Sequence, residues 1–337
     1  MLRVPRPYLG PLGLRYVSPL LDRCHVLRLR SRTVGHTGLP GPLLWGPRAA
    51  CFATEHPTYQ ARLSPGVVRL WRRPKGKVED YLLRHLKHGP LHLTLIDPDK
   101  QSPRQAALMA KAAADAGSHA IMVGGSTPEK QRILDKMVRA MKRATGLPVI
   151  LFPGQATQVT AHADAIWFMM LLNSTDRRFI VGEQVAGAPT LRKMGIEPIP
   201  MGYIVVEPGG TVGQVGKADL IKRDDIDAAI AYALAAQFFG MRFVYLEAGS
   251  GARESVPPAM IRAVKQAVDI PVIVGGGLRT AEKAHEAIEA GADIIVTGTL
   301  VEGALDIEKT LGDYLFNLSE RLKRQVRRSL EWGDEQT

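Results

Sequence analysis

The chain has 337 residues, 45% of them hydrophobic, which is enough for one large or two ordinary domains with a sizeable core. No uninterrupted apolar run reaches the ~18 to 20 residues of a membrane-spanning helix, so an integral helical membrane protein is excluded and the cytoplasm is the expected location. The net charge of +11 invites a search for nucleic acid, but eight arginines (Arg3, Arg6, Arg15, Arg23, Arg28, Arg30, Arg32, Arg48) against one acid, Asp22, put +7 into residues 1–54; the other 283 carry only +4, and nucleic-acid binding is not expected.

The leader, residues 1–70, reads "RVPRPYLGPLGLRYV" and "GLPGPLLWGPR", rich in Pro, Gly, Leu and Arg without period. Such a composition does not support a packed core. It is expected to be a disordered extension or upstream sequence from a start assigned too early; an Arg-rich, acid-poor leader is also the composition of a transit peptide. Both cysteines, Cys24 and Cys51, lie in it, so the body has no thiol for a disulfide or a thiolate metal site.

Residues 77–90, "KVEDYLLRHLKHGP", read as a leading helix. From Leu91 a single pattern recurs, a short β-branched run followed by a helix-like segment. The runs are "LHLTLID", "HAIMVGG", "PVILFPG", "DAIWFMMLLN", "IPMGYIVVEP", "RFVYLEAG", "PVIVGGG" and "DIIVTGT". Between them stand helix start and stop signals: Ser102 before Pro103, and Thr280 ahead of a segment closed by Gly291. Strands alternating with helices indicate parallel pairing. Eight units predict an α/β fold, a (β/α)8 TIM barrel occupying residues 77–332, with 300–332 as its last helix; a doubly wound open sheet is the competing architecture.

In such a barrel the chemistry sits at the C-terminal strand ends. "VGGGLRT" and "VTGT" close the seventh and eighth strands, where backbone N–H groups commonly hold a phosphate and glycine lets them approach it. Three consecutive glycines, Gly275, Gly276 and Gly277, exceed what a turn requires. "YLEAGSGA" adds Gly249, Ser250 and Gly251 beside them, so a phosphorylated ligand is expected. Across the mouth, "LIDPDK" offers Asp97 and Asp99 and "VGGST" offers Ser126, oxygen ligands suited to Mg2+. Asp99 has the alternative role of capping the next helix.

Taken together, "HLTLIDPDK", "IMVGGS", "PVILFPG", "FMMLLNS", "GYIVVEPGGTVGQVGKA", "YLEAGSGA", "PVIVGGGLRT" and "IIVTGTLVE" resemble, in order and over roughly residues 80–320, the signatures of the geranylgeranylglyceryl phosphate synthases and their bacterial heptaprenyl relatives. The long "GYIVVEPGGTVGQVGKA" form resembles the second of the family's two sequence groups. The resemblance implies a Mg2+-dependent prenyltransferase that joins sn-glycerol 1-phosphate to geranylgeranyl diphosphate, forming the first ether bond of a membrane lipid, and a homo-oligomer. It places the metal on Asp97 and Ser126. It places glycerol phosphate on Tyr245, Leu246, Glu247, Ala248, Gly249, Ser250, Gly251, Gly276, Gly277, Gly298 and Thr299. A barrel isomerase or aldolase acting on a phosphorylated sugar or amino-acid precursor is the alternative.

The chemistry needs a carboxylate to stabilise an allylic cation or take a proton, and Glu247 is the candidate, with a purely ligand-positioning job as its alternative role. Lys217 could reach a diphosphate, though a solvated lysine is the simpler reading. "AIWFMMLLN" suggests an apolar trench from Trp167, Phe168, Met169 and Met170, but alternate residues of a barrel strand face opposite sides, so at least half are ordinary core.

Overall fold

The computed structural model describes residues 76–124, 131–298 and 309–318. The leader expected over residues 1–70 lies outside the described residues, as do Ser126, Thr299 and much of the last helix expected over 300–332; residues 309–318 are helical.

Eight strands close into one parallel barrel in chain order. They are β1 (Leu91–Ile96), β2 (Ala120–Gly124), β3 (Val149–Phe152), β4 (Ala165–Leu171), β5 (Glu197–Val205), β6 (Phe243–Glu247), β7 (Val272–Gly275) and β8 (Ile294–Thr297). Each coincides with one of the β-branched runs read from the sequence. Side chains alternate across every strand, so the core has two layers. Leu93, Met122, Ile150, Trp167, Met201 and Phe243 pack inside the barrel, while Ile121, Leu151, Ile166, Ile204 and Val244 face the helices. Trp167 meets Phe243 edge to face, with centroids 5.2 Å apart, at the heart of the inner layer.

Helix α1 (Lys77–His85) plugs the floor: Val78 and Leu82 join the inner layer, and the Glu197 carboxylate receives the N–H groups of Val78 and Glu79 at 2.8 and 2.9 Å. Helix α2 (Pro103–Asp115) begins with a full capping box, Ser102 accepting from the Gln105 N–H and the Gln105 side chain reaching back. Ser102 therefore does the work that Asp99 was a candidate for. Helices α3 (Gln131–Thr145), α4 (Glu183–Met194, entered through a π-helical turn, Arg178–Gly182), α5 (Gly210–Val215), α6 (Ile226–Phe238), α7 (Pro258–Ala267) and α8 (Ala281–Glu289, capped by Thr280) complete the described ring.

Among the described residues the repeat breaks once. Residues 153–164, between β3 and β4, form bends and turns with no helix. "PGQATQVTAHAD" explains why: Pro153 and Gly154 open it, and Val159 is its one aliphatic side chain larger than alanine. A helix there would have no apolar stripe to bury. Among the described residues the ring of helices is consequently open on this side of the barrel.

One polar cluster is sealed in the outer layer. His92 lies with Nδ1 2.9 Å from Ser118 Oγ and Nε2 2.8 Å from Thr297 Oγ1, and Thr94 Oγ1 is 2.8 Å from Ser118 Oγ. Burial, helped by the neighbouring His119, lowers the His92 pKa to about 3.

Candidate active site

Strand β6 ends on Glu247, which points into the barrel mouth and is only 6% exposed. Two cavities meet there. The larger, about 350 Å³, runs from Glu247 and Tyr203 over Phe152, Met169 and Phe179 to Val159 and Leu191. It leaves the barrel through the gap where the third crossover has no helix, with Gln155 and Ala156 on one bank and Gln184 and Gly187 of α4 on the other. Glu183 ties the banks by accepting the Ala156 N–H at 2.6 Å, and Gln184 anchors α4 to β4 through its side-chain amide, which donates to the Met169 carbonyl. Helix α5 supplies Thr211, Val212 and Val215. The smaller cavity, about 40 Å³, is lined by Tyr245, Glu247, Ser250, Gly251, Gly276, Gly277 and Gly298, among others. Leu95, Glu247 and Ser250 line both.

Strand register builds this junction. Parallel pairing sets Tyr203 beside Tyr245 and Val205 beside Glu247, and then Glu247 beside Gly275. Phe152, Tyr203 and Tyr245 form an aromatic floor below the carboxylate, with centroids 5.1 to 5.8 Å apart. Glu247 Oε1 accepts the Gly249 N–H at 2.6 Å and Oε2 the Tyr203 hydroxyl at 3.3 Å. Burial raises the Glu247 pKa above the ordinary carboxylate value, against the opposing pull of hydrogen bonds from Gly249, Tyr245 and Tyr203. Both tyrosines are themselves raised, first by burial and then by the Glu247 charge. They stay protonated donors beside a carboxylate biased toward taking a proton.

The glycine run has a reason the sequence did not disclose. A Cβ on Gly275 would stand 1.9 Å from the Tyr245 hydroxyl, one on Gly276 2.4 Å from Glu247 Oε1, and one on Gly277 2.4 Å from the Glu254 backbone. What comes close to bare backbone is first of all the protein itself. Gly276 and Gly277 also have φ of 80° and 71°, a region only glycine enters freely. The ligand expectation is compatible with this: no described residue accepts from the N–H groups of Ser250, Gly251, Gly276, Gly277 or Gly298.

Other expected residues are distributed as follows. Tyr245, Glu247, Ser250, Gly251, Gly276, Gly277 and Gly298 converge on the small cavity. Leu246 and Ala248 turn into the helix layer, and Gly249 is pressed against the Gly209–Gly210 backbone. Asp97 lines the large cavity just past β1; its Oδ1 accepts the Asp99 N–H at 2.9 Å and its Oδ2 stands 3.4 Å from Lys100 Nζ. Among the described residues no group of three or more His, Cys, Asp or Glu side chains could hold a metal. Lys217 pairs with Asp176 at 2.8 Å. Of the expected trench residues, Trp167, Phe168 and Met169 line the large cavity, while Met170 packs against the helix layer.

A model of the PcrB family matches residues 83–313. The chain belongs to the PcrB family. Within it the chain is similar to the geranylgeranylglyceryl phosphate synthase of Thermococcus gammatolerans, 56% identical over 234 residues that cover 69% of this chain and 93% of that protein. The corresponding synthase of Pyrococcus abyssi is 50% identical over 257 residues, 76% and 98% of the two chains. Among solved structures, the (S)-3-O-geranylgeranylglyceryl phosphate synthase of Thermoplasma acidophilum in complex with sn-glycerol-1-phosphate superposes with a TM-score of 0.70 at 49% identity, covering 73% of this chain and 99% of that one. The Thermoplasma volcanium protein superposes at 0.68 with 48% identity, covering 72% and 95%.

Sequence reading of this PcrB-family chain missed Gln184, which lies in none of the quoted motifs, and did not single out Leu95, Phe152 and Tyr203 within "HLTLIDPDK", "PVILFPG" and "GYIVVEPGGTVGQVGKA". For Tyr203 a signal existed: counting in twos along "GYIVV" gives its face, and only the cross-strand register, invisible in sequence, pairs it with Tyr245.

Proposed function

We propose that this chain is a prenyltransferase joining the 3-hydroxyl of sn-glycerol 1-phosphate to geranylgeranyl diphosphate, with release of diphosphate. The observation that carries the reading is the placement of Glu247 on the wall shared by a long apolar cavity and a small glycine-lined one. A twenty-carbon tail suits the first and a phosphate the second. A barrel isomerase or aldolase would have no use for the first.

In this reading the Ser250, Gly251, Gly276, Gly277 and Gly298 N–H groups receive the phosphate, joined by Thr299. The glycerol 3-hydroxyl then lies next to Glu247, and the prenyl carbon next to the aromatic floor. The hydroxyl oxygen forms the ether bond to the allylic carbon as the carbon–oxygen bond to diphosphate breaks, the bonding pair leaving with diphosphate. Glu247 takes the hydroxyl proton, helped by its raised pKa. The rings of Phe152 and Tyr203 and the charge of Glu247 stabilise positive charge on the allylic carbons. Closing the two substrates into fixed cavities supplies proximity.

Asp97 fits Mg2+ of the kind that keeps most of its ligands from water and substrate phosphates: it is one carboxylate, its side chain 26% exposed, at the edge of the cavity that would hold the diphosphate. Ser126 would be its partner. When bound, the ion would neutralise the departing diphosphate. No helix among the described residues is long and apolar enough to cross a membrane. The proposal places a homo-oligomeric enzyme in the cytoplasm, handing a lipid product to the membrane. Incubating the purified protein with sn-glycerol 1-phosphate and prenyl diphosphates of several lengths, with and without Mg2+, tests it; ether product is expected only with both substrates and the metal.

A further inference from the structure

The small cavity has an unbalanced charge. Among the described residues lining it, Glu247 is the one acid and Arg279 the one cation. A phosphate monoester carries roughly −1.5 to −2 at neutral pH, and placing it beside a carboxylate without a compensating cation is costly. Arg279 stands where β7 turns toward α8. Its guanidinium donates to the Gly251 carbonyl, spanning from the seventh-strand loop to the sixth.

That contact is one of three. Lys283 Nζ, in the first turn of α8, donates to the Arg253 carbonyl at 2.8 Å. Arg223, between β5 and α6, donates to the Ser255 carbonyl at 3.0 Å, to the Glu207 carbonyl at 3.3 Å, and pairs with Glu254 at 3.1 Å. Three alternate carbonyls of one loop, at 251, 253 and 255, are therefore each drawn to a cation from a neighbouring segment. The N–H groups of Ser250 and Gly251 in the same loop find no acceptor among the described residues.

We propose that Arg279 is a binding residue for the phosphate of the glycerol substrate, and that Lys283 and Arg223 are positioning residues that hold the loop carrying Ser250 and Gly251 in its anion-receiving form. Arg279 does both jobs at once, fixing Gly251 through one part of its planar fork and adding positive charge at the cavity. Lys283 and Arg223 act only through the loop. The inference rests on the function proposed above, whose phosphate site it completes.

The test compares Arg279→Met, Arg279→Lys and Lys283→Met with the unaltered protein, measuring KM for sn-glycerol 1-phosphate, KM for geranylgeranyl diphosphate, kcat and Tm. Arg279→Met is expected to raise the glycerol-phosphate KM at least tenfold, the loss of about one charge-assisted contact at about 1.4 kcal/mol per tenfold, with the prenyl KM within about twofold. Arg279→Lys should recover part of that loss, and Lys283→Met should raise the same KM less than Arg279→Met does. If both Met variants behave alike and Lys at 279 recovers nothing, Arg279 only holds the loop and the proposal is overturned. Should Arg279→Met fail to fold, Arg279→Gln decides: a glycerol-phosphate KM equal to that of the unaltered protein overturns the proposal, and a rise of about tenfold or more with the prenyl KM unchanged sustains it. Absence of turnover in the unaltered protein would instead defeat the underlying function.

Discussion

The Tyr203 hydroxyl reaches Glu247 Oε2 across 3.3 Å from the neighbouring strand, while the Gly249 N–H closes on Oε1 at 2.6 Å. A buried carboxylate fixed at both oxygens has one orientation, and that orientation faces two cavities at once. Burial makes it a better proton acceptor than a surface glutamate.

Glu247→Gln separates catalysis from stability. Turnover is expected to fall by roughly 10² to 10⁴, the usual contribution of a general base. Stability should move the other way. Because the folded-state pKa lies above the unfolded one, the contribution of Glu247 is fully present below the unfolded value and is lost as pH rises through the folded value. At pH 8 the Gln variant is therefore expected to melt no lower than the unaltered protein. A lower Tm, measured by calorimetry, would show that the ionised carboxylate is a net structural asset.

Asp97→Asn should fold normally, since the Asp97 contacts lie within its own turn, to Asp99 and Lys100. A metal held at Asp97, as proposed, would supply several kcal/mol of transition-state stabilisation, so turnover should fall on the order of 100-fold or more. Titrating Mg2+ against both proteins checks this; an unaltered metal dependence would move the metal away from Asp97.

Gly298→Ala and Gly276→Ala test the ligand role of the glycines apart from their packing role. A Cβ on Gly298 meets Leu95 at an ordinary 3.4 Å, whereas one on Gly276 would lie 2.4 Å from Glu247 Oε1 on a backbone with φ of 80°. Gly298→Ala is expected to stay within about 1 kcal/mol of the unaltered stability and to raise the glycerol-phosphate KM. Gly276→Ala should cost more than about 1 kcal/mol by strain alone. Equal melting temperatures for the two would refute the packing explanation of the glycine run.

His92 gives the barrel an acid limit. Its pKa is lowered from 6.5 to about 3, so its contribution is complete above pH 6.5 and is lost as pH falls toward 3. Each unit is worth about 1.4 kcal/mol once the unfolded ring is mostly protonated, so roughly 2 kcal/mol of the decline between pH 6.5 and pH 4.5 traces to this one ring. In His92→Gln, denaturant titrations at those two pH values should show a correspondingly smaller difference; parallel profiles would mean that the ring is not sealed from protons.

The eight strands were legible because each is a compact β-branched run, and the helix starts at Ser102 and Thr280 because capping is local chemistry. The missing third helix was less so. The eightfold repeat implies a helix there, although "PGQATQVTAHAD" has no stripe to bury. Glu247 could be singled out from its place in "YLEAGSGA", but its partner Tyr203 is brought to it by strand register, and the cations on the carbonyls of Gly251, Arg253 and Ser255 arrive from segments about 30 residues away in sequence. Long-range pairing of this kind leaves no local pattern. The glycines of "VGGGLRT" stand out in the sequence, but what they accommodate, the Tyr245 hydroxyl and the Glu254 backbone, is visible only in three dimensions.

The most direct measurement follows the oxygen. sn-Glycerol 1-phosphate carrying ¹⁸O in its 3-hydroxyl, incubated with geranylgeranyl diphosphate, Mg2+ and the protein, should give an ether that keeps the label and diphosphate that has none, because the hydroxyl beside Glu247 attacks the prenyl carbon. Labelled oxygen in the released diphosphate, or no ether product from protein that binds both substrates, would contradict a site in which Glu247 joins the contents of its two cavities.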